Sequence, residues 1–259
     1  MTQYSQCSLI RNIHALTTFD ELRLIWAVAK NKITKKNYPL DILVSCFGLK
    51  YKLIDIESLV VVSPNFERNY RKFIMPRKGD VFIDIGAHIG KYTMQAAKIV
   101  GNYGRVIAFE ADPITFKALR EGIMANDFKN ALALNIAIYD DECEMVLHSV
   151  PIYDRIRLGR AYNSIKRDVG PGVLVEAKPL DLVMDNLNLT KVDFIKIDVE
   201  GAELEVIKGG RKTIEKFKPT IVVEITMSQA EILEIIKELG YSSRSIGNHY
   251  FCFTPADRC

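Results

Sequence analysis

The rhythm of hydrophobic and polar positions changes near Gly79. From there the chain alternates short apolar runs with longer stretches of helical period. The runs are VFIDI (81–85), RVIAFE (105–110), LALNIAI (132–138), VDFIKID (192–198) and TIVVEI (220–225). Helical spacing fills 89–100, 114–126, 202–216 and 228–239. Strands that are apolar on both faces belong in a parallel sheet covered by helices on each side. After Gly240, YSSRSIGNHYFCFT offers two strands around Gly-Asn, a hairpin signal. The predicted fold is α/β: a doubly wound, mostly parallel seven-stranded sheet with a C-terminal antiparallel hairpin.

Ahead of Gly79 the pattern is different. Residues 8–36 suit one or two amphipathic helices, with Leu22, Ile25, Trp26 and Ala29 on one face. Residues 41–63 read as a β-hairpin pair around Gly48, and 65–75 as a short helix stopped before Pro76. No obvious reactive cluster stands out in this region. It predicts a small N-terminal α/β cap over 1–75, packed on a principal domain over 76–259. More than fifty residues separate the third and fourth strands, too many for a plain crossover. A substrate-side insertion at about 140–178 is expected there, with extra strands at 142–150 and 173–178.

The loop after the first strand of the principal domain, in GDVFIDIGAHIGKYT, narrows the chemistry. A triphosphate loop needs G-x-x-x-x-G-K-[ST]. Gly86 and Gly90 are one residue too close, and Tyr92 stands where the hydroxyl residue belongs. A dinucleotide loop needs G-x-G-x-x-G, but those positions hold His88 and Lys91. What remains is D-x-G-x-x-x-G, from Asp84, Gly86 and Gly90. That spacing suits S-adenosylmethionine, with loop N–H groups toward its carboxylate and Asp84 toward its ammonium. The second strand ends in Glu110, where a bidentate acceptor can hold both ribose hydroxyls. Ala87, His88, Ala111 and Ala137 complete the expected cofactor contacts.

Through GDVFIDIGAHIGKYT, GRVIAFEADP, NIAIYDDE, KVDFIKIDVEGAELEVIKGG and KPTIVVEI, the chain resembles the FkbM-type S-adenosylmethionine-dependent methyltransferases over most of residues 79–226. The resemblance implies a Rossmann-like methyltransferase fold and methyl transfer from S-adenosylmethionine. One departure is His88, where the family usually has Asn. No second His or Cys stands at ligand spacing near His88, so no metal site is expected there. Amino-directed methyltransferases of this fold carry an Asn/Asp-Pro-Pro-aromatic run after the fourth strand. This chain has DVEG there, which at the level of resemblance favours an oxygen acceptor.

An alcohol acceptor must lose a proton as it gains the methyl group, so a base should stand within reach. Strand C-termini face the ligand crevice in this fold class. Asp198 is the first choice for positioning or deprotonating the acceptor and Glu224 the second, with Glu200 nearby on the substrate side. Glu203 fits the first turn of a helix, where an acid meets the dipole favourably. Lys196, set among apolar neighbours, needs an acidic partner, for which Asp84 and Glu224 are the candidates. In the insertion, Arg155, Arg157, Tyr162 and Asn163 belong to a basic, aromatic-bearing stretch expected to wall the acceptor. A sugar, glycolipid or other small polar metabolite is the acceptor this suggests.

Composition mainly excludes. A net charge of +3 is too small to imply nucleic-acid binding by itself. Five scattered cysteines without a C-x-x-C pair suggest a reducing compartment, hence a cytoplasmic protein, and neither zinc nor disulfides. No apolar run reaches bilayer length. The rival readings are a nicotinamide oxidoreductase, an RNA methyltransferase and a non-catalytic relative that kept the fold.

Overall fold

The computed structural model describes residues 40–63, 66–148 and 172–258. The expected helices over 8–36, and Arg155, Arg157, Tyr162 and Asn163, lie outside them. A two-stranded hairpin comes first, β1 (Ile42–Cys46) and β2 (Leu49–Leu53), followed by α1 (Ile56–Val62) and the single turn α2 (Arg68–Arg71). The helix α1 corrects the reading of 41–63 as strand throughout. Asp55 accepts from the Ser58 N–H and hydroxyl, an N-cap that starts a helix in spite of the β-branched run after it.

The central sheet contains β3 (Val81–Ile85), β4 (Arg105–Phe109), β5 (Ala131–Leu134), β9 (Phe194–Ile197), β10 (Thr220–Glu224), β11 (Tyr241–Ser245) and β12 (Tyr250–Pro255). Their order is β11-β12-β10-β9-β3-β4-β5, and β12 alone runs against the direction of the rest. The helices α3 (Lys91–Val100), α4 (Pro113–Ala125), α5 (Leu180–Asn186), α6 (Glu203–Gly209), α7 (Arg211–Phe217) and α8 (Gln229–Glu238) cover it. Alternation along β3 supplies both faces: Val81, Ile83 and Ile85 join the core beneath α5 to α8, while Phe82 packs with Tyr92, Ala96 and Val100 of α3. The β1–β2 hairpin shares a third cluster with Ala118, Leu119 and Ile123 of α4. No helix among the described residues is long and apolar enough to cross a membrane.

Two elements differ from expectation. The run 132–138 breaks into β5 and β6 (Ala137–Tyr139), which lie in different sheets. Between them, the Asn135 amide donates to the carbonyls of Glu110 and Ala111 at 2.8 Å each, pinning the chain across the end of β4. The freed β6 then pairs with β8 (Gly172–Pro179), which also pairs antiparallel with β7 (Cys143–His148). The helix expected over 202–216 divides at Gly209–Gly210. A side chain at Gly209 would run into the Tyr139 carbonyl, so α6 lies directly on the end of β6.

Candidate active site

A cavity of about 340 Å³ opens beyond the C-terminal ends of β3, β4, β9 and β10. Its walls hold Gly86, Ala87, His88, Glu110, Ala111, Ala137, Asp198, Glu200 and Glu224, all expected from the sequence. The chain enters it through two sharp loops. Gly86, at φ 73°, sits so close to the end of β9 that a Cβ would overlap the Asp198 carbonyl oxygen. His88 (φ 52°) and Glu200 (φ 52°) hold left-handed backbone in these two loops.

At one end the Glu110 carboxylate is fixed by backbone donors. Its Oε2 accepts from the His88 N–H at 2.7 Å and its Oε1 from the Asp112 N–H at 2.9 Å. Asp112 in turn caps α4, accepting from the N–H groups of Ile114 and Thr115, and Pro113 occupies the first helical position. The sequence EADP thus encodes the strand end, the cap and the helix start together. Burial pushes the Glu110 carboxyl up to about 7.

Three features expected of this end are arranged differently. Asp84 does not line the cavity. It is wholly buried, accepts from the Thr93 hydroxyl at 2.6 Å and lies 3.3 Å from Lys196 Nζ, so its carboxylate already serves the core. Gly90 also lies behind the wall, at φ 92°, where a side chain would collide with Leu119 and Met94. Four of the loop N–H groups are already committed within the fold. Those of Gly86 and Ala87 donate to the Phe109 carbonyl, that of His88 to Glu110 and that of Gly90 to the Ala87 carbonyl.

The other end is acidic and aromatic. Oxygens of Glu67, Asp198 and Glu224 lie within 4.8 Å of one another. Tyr250 Oη is 2.8 Å from both Glu67 Oε1 and Glu224 Oε2. Glu67 Oε2 accepts from Tyr92 Oη at 2.7 Å and Lys91 Nζ at 3.3 Å. The Tyr70 ring stacks on Tyr250 with centroids 3.8 Å apart. Burial pushes the Glu224 carboxyl up to about 8, with the Asp198 charge adding to the effect. That shift favours the protonated form of Glu224 near neutral pH. Burial also lowers Lys91 to about 8, opposed by Glu67.

Lys196 finds its partners in Asp84 and Asp198, both at 3.3 Å, and donates to the Gly86 carbonyl at 2.8 Å. Burial works against its charge, but the Asp198 and Asp84 carboxylates hold its pKa above the ordinary range. Glu203 is structural as well as dipole-compatible: buried, it accepts from the Gly201 N–H and the Thr226 hydroxyl, tying α6 to the end of β10. Both ring nitrogens of His88 are buried without a hydrogen-bond partner among the described residues, and burial lowers its pKa.

Sequence reasoning misses Glu67, Tyr70, Lys91, Tyr92 and Tyr250; of these, Glu67 and Tyr70 reach the cavity wall from the N-terminal region, where no obvious reactive cluster stands out in the sequence. Only Tyr250 leaves a usable signal. It opens the second hairpin strand, where the observed register sets it opposite Glu224. The left-handed Glu67, at φ 54°, has no such mark.

Comparison with known proteins bears on the fold and the family. The chain is 26% identical over 144 residues to a probable cobalt-precorrin-6B C(15)-methyltransferase (decarboxylating) of Saccharolobus solfataricus, covering 51% of this chain and 69% of the relative. It is 25% identical to the methyltransferase sdnD of Sordaria araneosa, covering 55% and 64%. Among solved structures it resembles a methyltransferase FkbM from Methylobacillus flagellatus KT, with a TM-score of 0.50 and 16% identity. That alignment covers 76% of this chain and 52% of the other, so this chain spans about half of that protein's length. The fold is the Rossmann-like fold of S-adenosylmethionine-dependent methyltransferases. The model of the methyltransferase FkbM domain matches residues 84–243, more than half of the chain. The nicotinamide reading falls with that match, and the chain belongs to the FkbM family of methyltransferases, with S-adenosylmethionine as its cofactor.

Proposed function

We propose that this methyltransferase transfers the methyl group of S-adenosylmethionine to a hydroxyl oxygen of a small polar acceptor, such as a sugar, a glycolipid or a secondary metabolite. The adenosine would lie at the Glu110 end, its ribose hydroxyls donating to the oriented carboxylate, with Ala111 and Ala137 beside the base. The acceptor would lie between Asp198 and the tyrosines. Phenol rings and carboxylates together suit a ring bearing several hydroxyls. Glu200, with Arg155, Arg157, Tyr162 and Asn163 of the insertion, would complete its wall. Residues 1–75 would cap this end of the domain 76–259, contributing Glu67 and Tyr70.

The observation that carries the assignment is the unequal commitment of the three clustered acids. Glu67 already accepts from three donors, and Glu224 is engaged by the Tyr250 hydroxyl at 2.8 Å. Asp198 is about a quarter exposed and paired on its Oδ2 side with Lys196. Bound S-adenosylmethionine would supply the methyl group to the acceptor oxygen and leave as neutral S-adenosylhomocysteine, while Asp198 would take the acceptor's proton. The protein's work is alignment and proton removal, since the sulfonium is its own leaving group.

Labelled S-adenosylmethionine offered with fractionated extracts would identify the acceptor. With it in hand, Asp198→Asn should lower kcat by about 10²-fold or more while leaving S-adenosylhomocysteine affinity unchanged. Turnover near wild type would sink the assignment. The name of the Saccharolobus relative supports a second reading, transfer to carbon, and the position of the new methyl group in the product separates the two. The scattered cysteines support a cytoplasmic setting, and Cys46, Cys143 and Cys252 form no disulfide among the described residues.

A further inference from the structure

Tyr250 carries one hydroxyl hydrogen, yet its oxygen is 2.8 Å from an oxygen of Glu67 and 2.8 Å from an oxygen of Glu224. One hydrogen cannot serve both contacts. Were both acids ionised, one contact would set lone pair against lone pair in a largely buried place, where unmatched polar groups are costly. One of the two carboxyls must carry a proton and donate it to Tyr250.

The surroundings decide which one. Glu67 faces the Lys91 ammonium and also accepts from Tyr92, so it is the natural acceptor. Glu224 has no cation in contact among the described residues. The charged groups around it are Asp198 and Glu200 from the loop after β9, and Glu67 from the start of α2. Lys196 of β9 is drawn to Asp84 and Asp198. The neutral His88 and the phenols of Tyr92 and Tyr250 complete the set. Burial and the Asp198 charge raise the Glu224 carboxyl to about 8, in agreement with the geometry.

We propose that Glu224, Tyr250 and Glu67 form an ordered proton chain, in which protonated Glu224 donates to Tyr250 and Tyr250 donates to Glu67, and that Glu67 and Tyr250 are positioning residues of the methyl-transfer site. Both lie outside the residues 84–243 that match the family domain. The chain ties the start of α2 to β12 and β10, and the Tyr70–Tyr250 stack backs it. By keeping Glu224 neutral and Glu67 saturated, it directs the acceptor's hydroxyl proton to Asp198. In this it rests on the role proposed above for Asp198.

The test needs no acceptor and uses the whole chain. In Glu224→Gln the side-chain amide can still donate to Tyr250, so the melting temperature near pH 7 should equal or exceed that of wild type. Glu67→Gln puts an N–H where an acceptor is needed and should lower it by several degrees. A carboxyl raised from 4.5 holds its proton in the folded state after the unfolded state has lost it. Wild-type stability should therefore fall, relative to Glu224→Gln, from about pH 5 to about pH 8 and then level off. In infrared spectra near neutral pH, Glu224→Gln should lack a protonated-carboxyl band that wild type and Asp198→Asn both show. A reversed order of the two Gln variants, a gap independent of pH, or an unchanged band would each overturn the chain. If Glu224→Gln does not fold, Tyr250→Phe decides the matter. Removing the phenol should shift the pH at which the wild-type band disappears, and an unshifted midpoint overturns the proposal. Failure here would leave Asp198 untouched, and normal turnover of Asp198→Asn would leave the chain untouched.

Discussion

The two ends of the cavity are built from different kinds of sequence. At the Glu110 end, the strand ends, the loop, the cap and the helix start all come from one continuous stretch, and the carboxylate is held by main-chain N–H groups of His88 and Asp112. At the acidic end the decisive contact joins Glu67 to Tyr250, 183 residues apart, through side chains alone. Main-chain donors survive substitution of the residues that carry them, whereas side-chain contacts do not. The first end can therefore stay constant while the second is reshaped by changes in the flanks of the family domain.

The largest expected effect lies at the seam that both ends share. Gly86→Ala would drive a Cβ into the Asp198 carbonyl oxygen while the backbone stands at φ 73°. A loss of about 3 kcal/mol or more in stability is expected, together with loss of S-adenosylhomocysteine binding. Gly240→Ala is the control, also at positive φ (77°) but with only Lys218 Nζ, at 3.9 Å, near the new Cβ, and should cost about 1–2 kcal/mol. Equal effects in urea unfolding would show that backbone conformation, and not the close approach to β9, is what Gly86 provides.

Separating the ends comes next. Glu110→Ala should weaken S-adenosylhomocysteine binding by about 1.5–3 kcal/mol, the scale of hydrogen bonds to a charged group, in calorimetry. Because burial raises Glu110 to about 7, and hydroxyl donors favour the ionised form, wild-type affinity should increase as pH rises through about 7. The variant should lack that dependence. Tyr70→Ala acts at the other end. It removes the stack on Tyr250 and should cost about 0.5–1.5 kcal/mol beyond lost contact area, with cofactor affinity unchanged. If Tyr70→Ala disturbed that affinity as Glu110→Ala does, the cavity would behave as one unit and the contrast would fail.

The same contrast explains what can be read from the sequence. Val81–Ile85 and the hairpin strands are legible because strand patterns are local, and Glu110 because it follows its strand by one residue. The break at Asn135 is not, since it depends on carbonyls presented by another strand end. For Asp84 the sequence yields the right strand but the wrong neighbour. A carboxylate one residue before the strand end points into the sheet's own packing, toward Thr93 and Lys196. Glu67 and Tyr70 are invisible because a four-residue helix has too little period to show which way its side chains face.

His88 offers the smallest and finest test, because it belongs to the Glu110 end through its backbone alone. Its N–H donates to Glu110, its φ is 52°, and its ring nitrogens are buried without partners among the described residues. Among residues with a side chain, His, Asn and Asp tolerate left-handed backbone best. His88→Asn should therefore change stability at neutral pH by less than about 1 kcal/mol and leave cofactor affinity alone. His88→Val should cost about 1–2 kcal/mol more, the strain of a branched residue in that conformation. Acid provides the discriminating condition. Burial lowers His88 from 6.5, so below about pH 6.5 the unfolded chain takes up a proton that the folded one refuses, and wild-type stability falls. The Asn variant has no such group, so it should overtake wild type as melting is followed downward from neutral pH. A gap that stays constant with pH would mean that the imidazole is not held neutral, and that His88 contributes to this end through its side chain as well as its backbone.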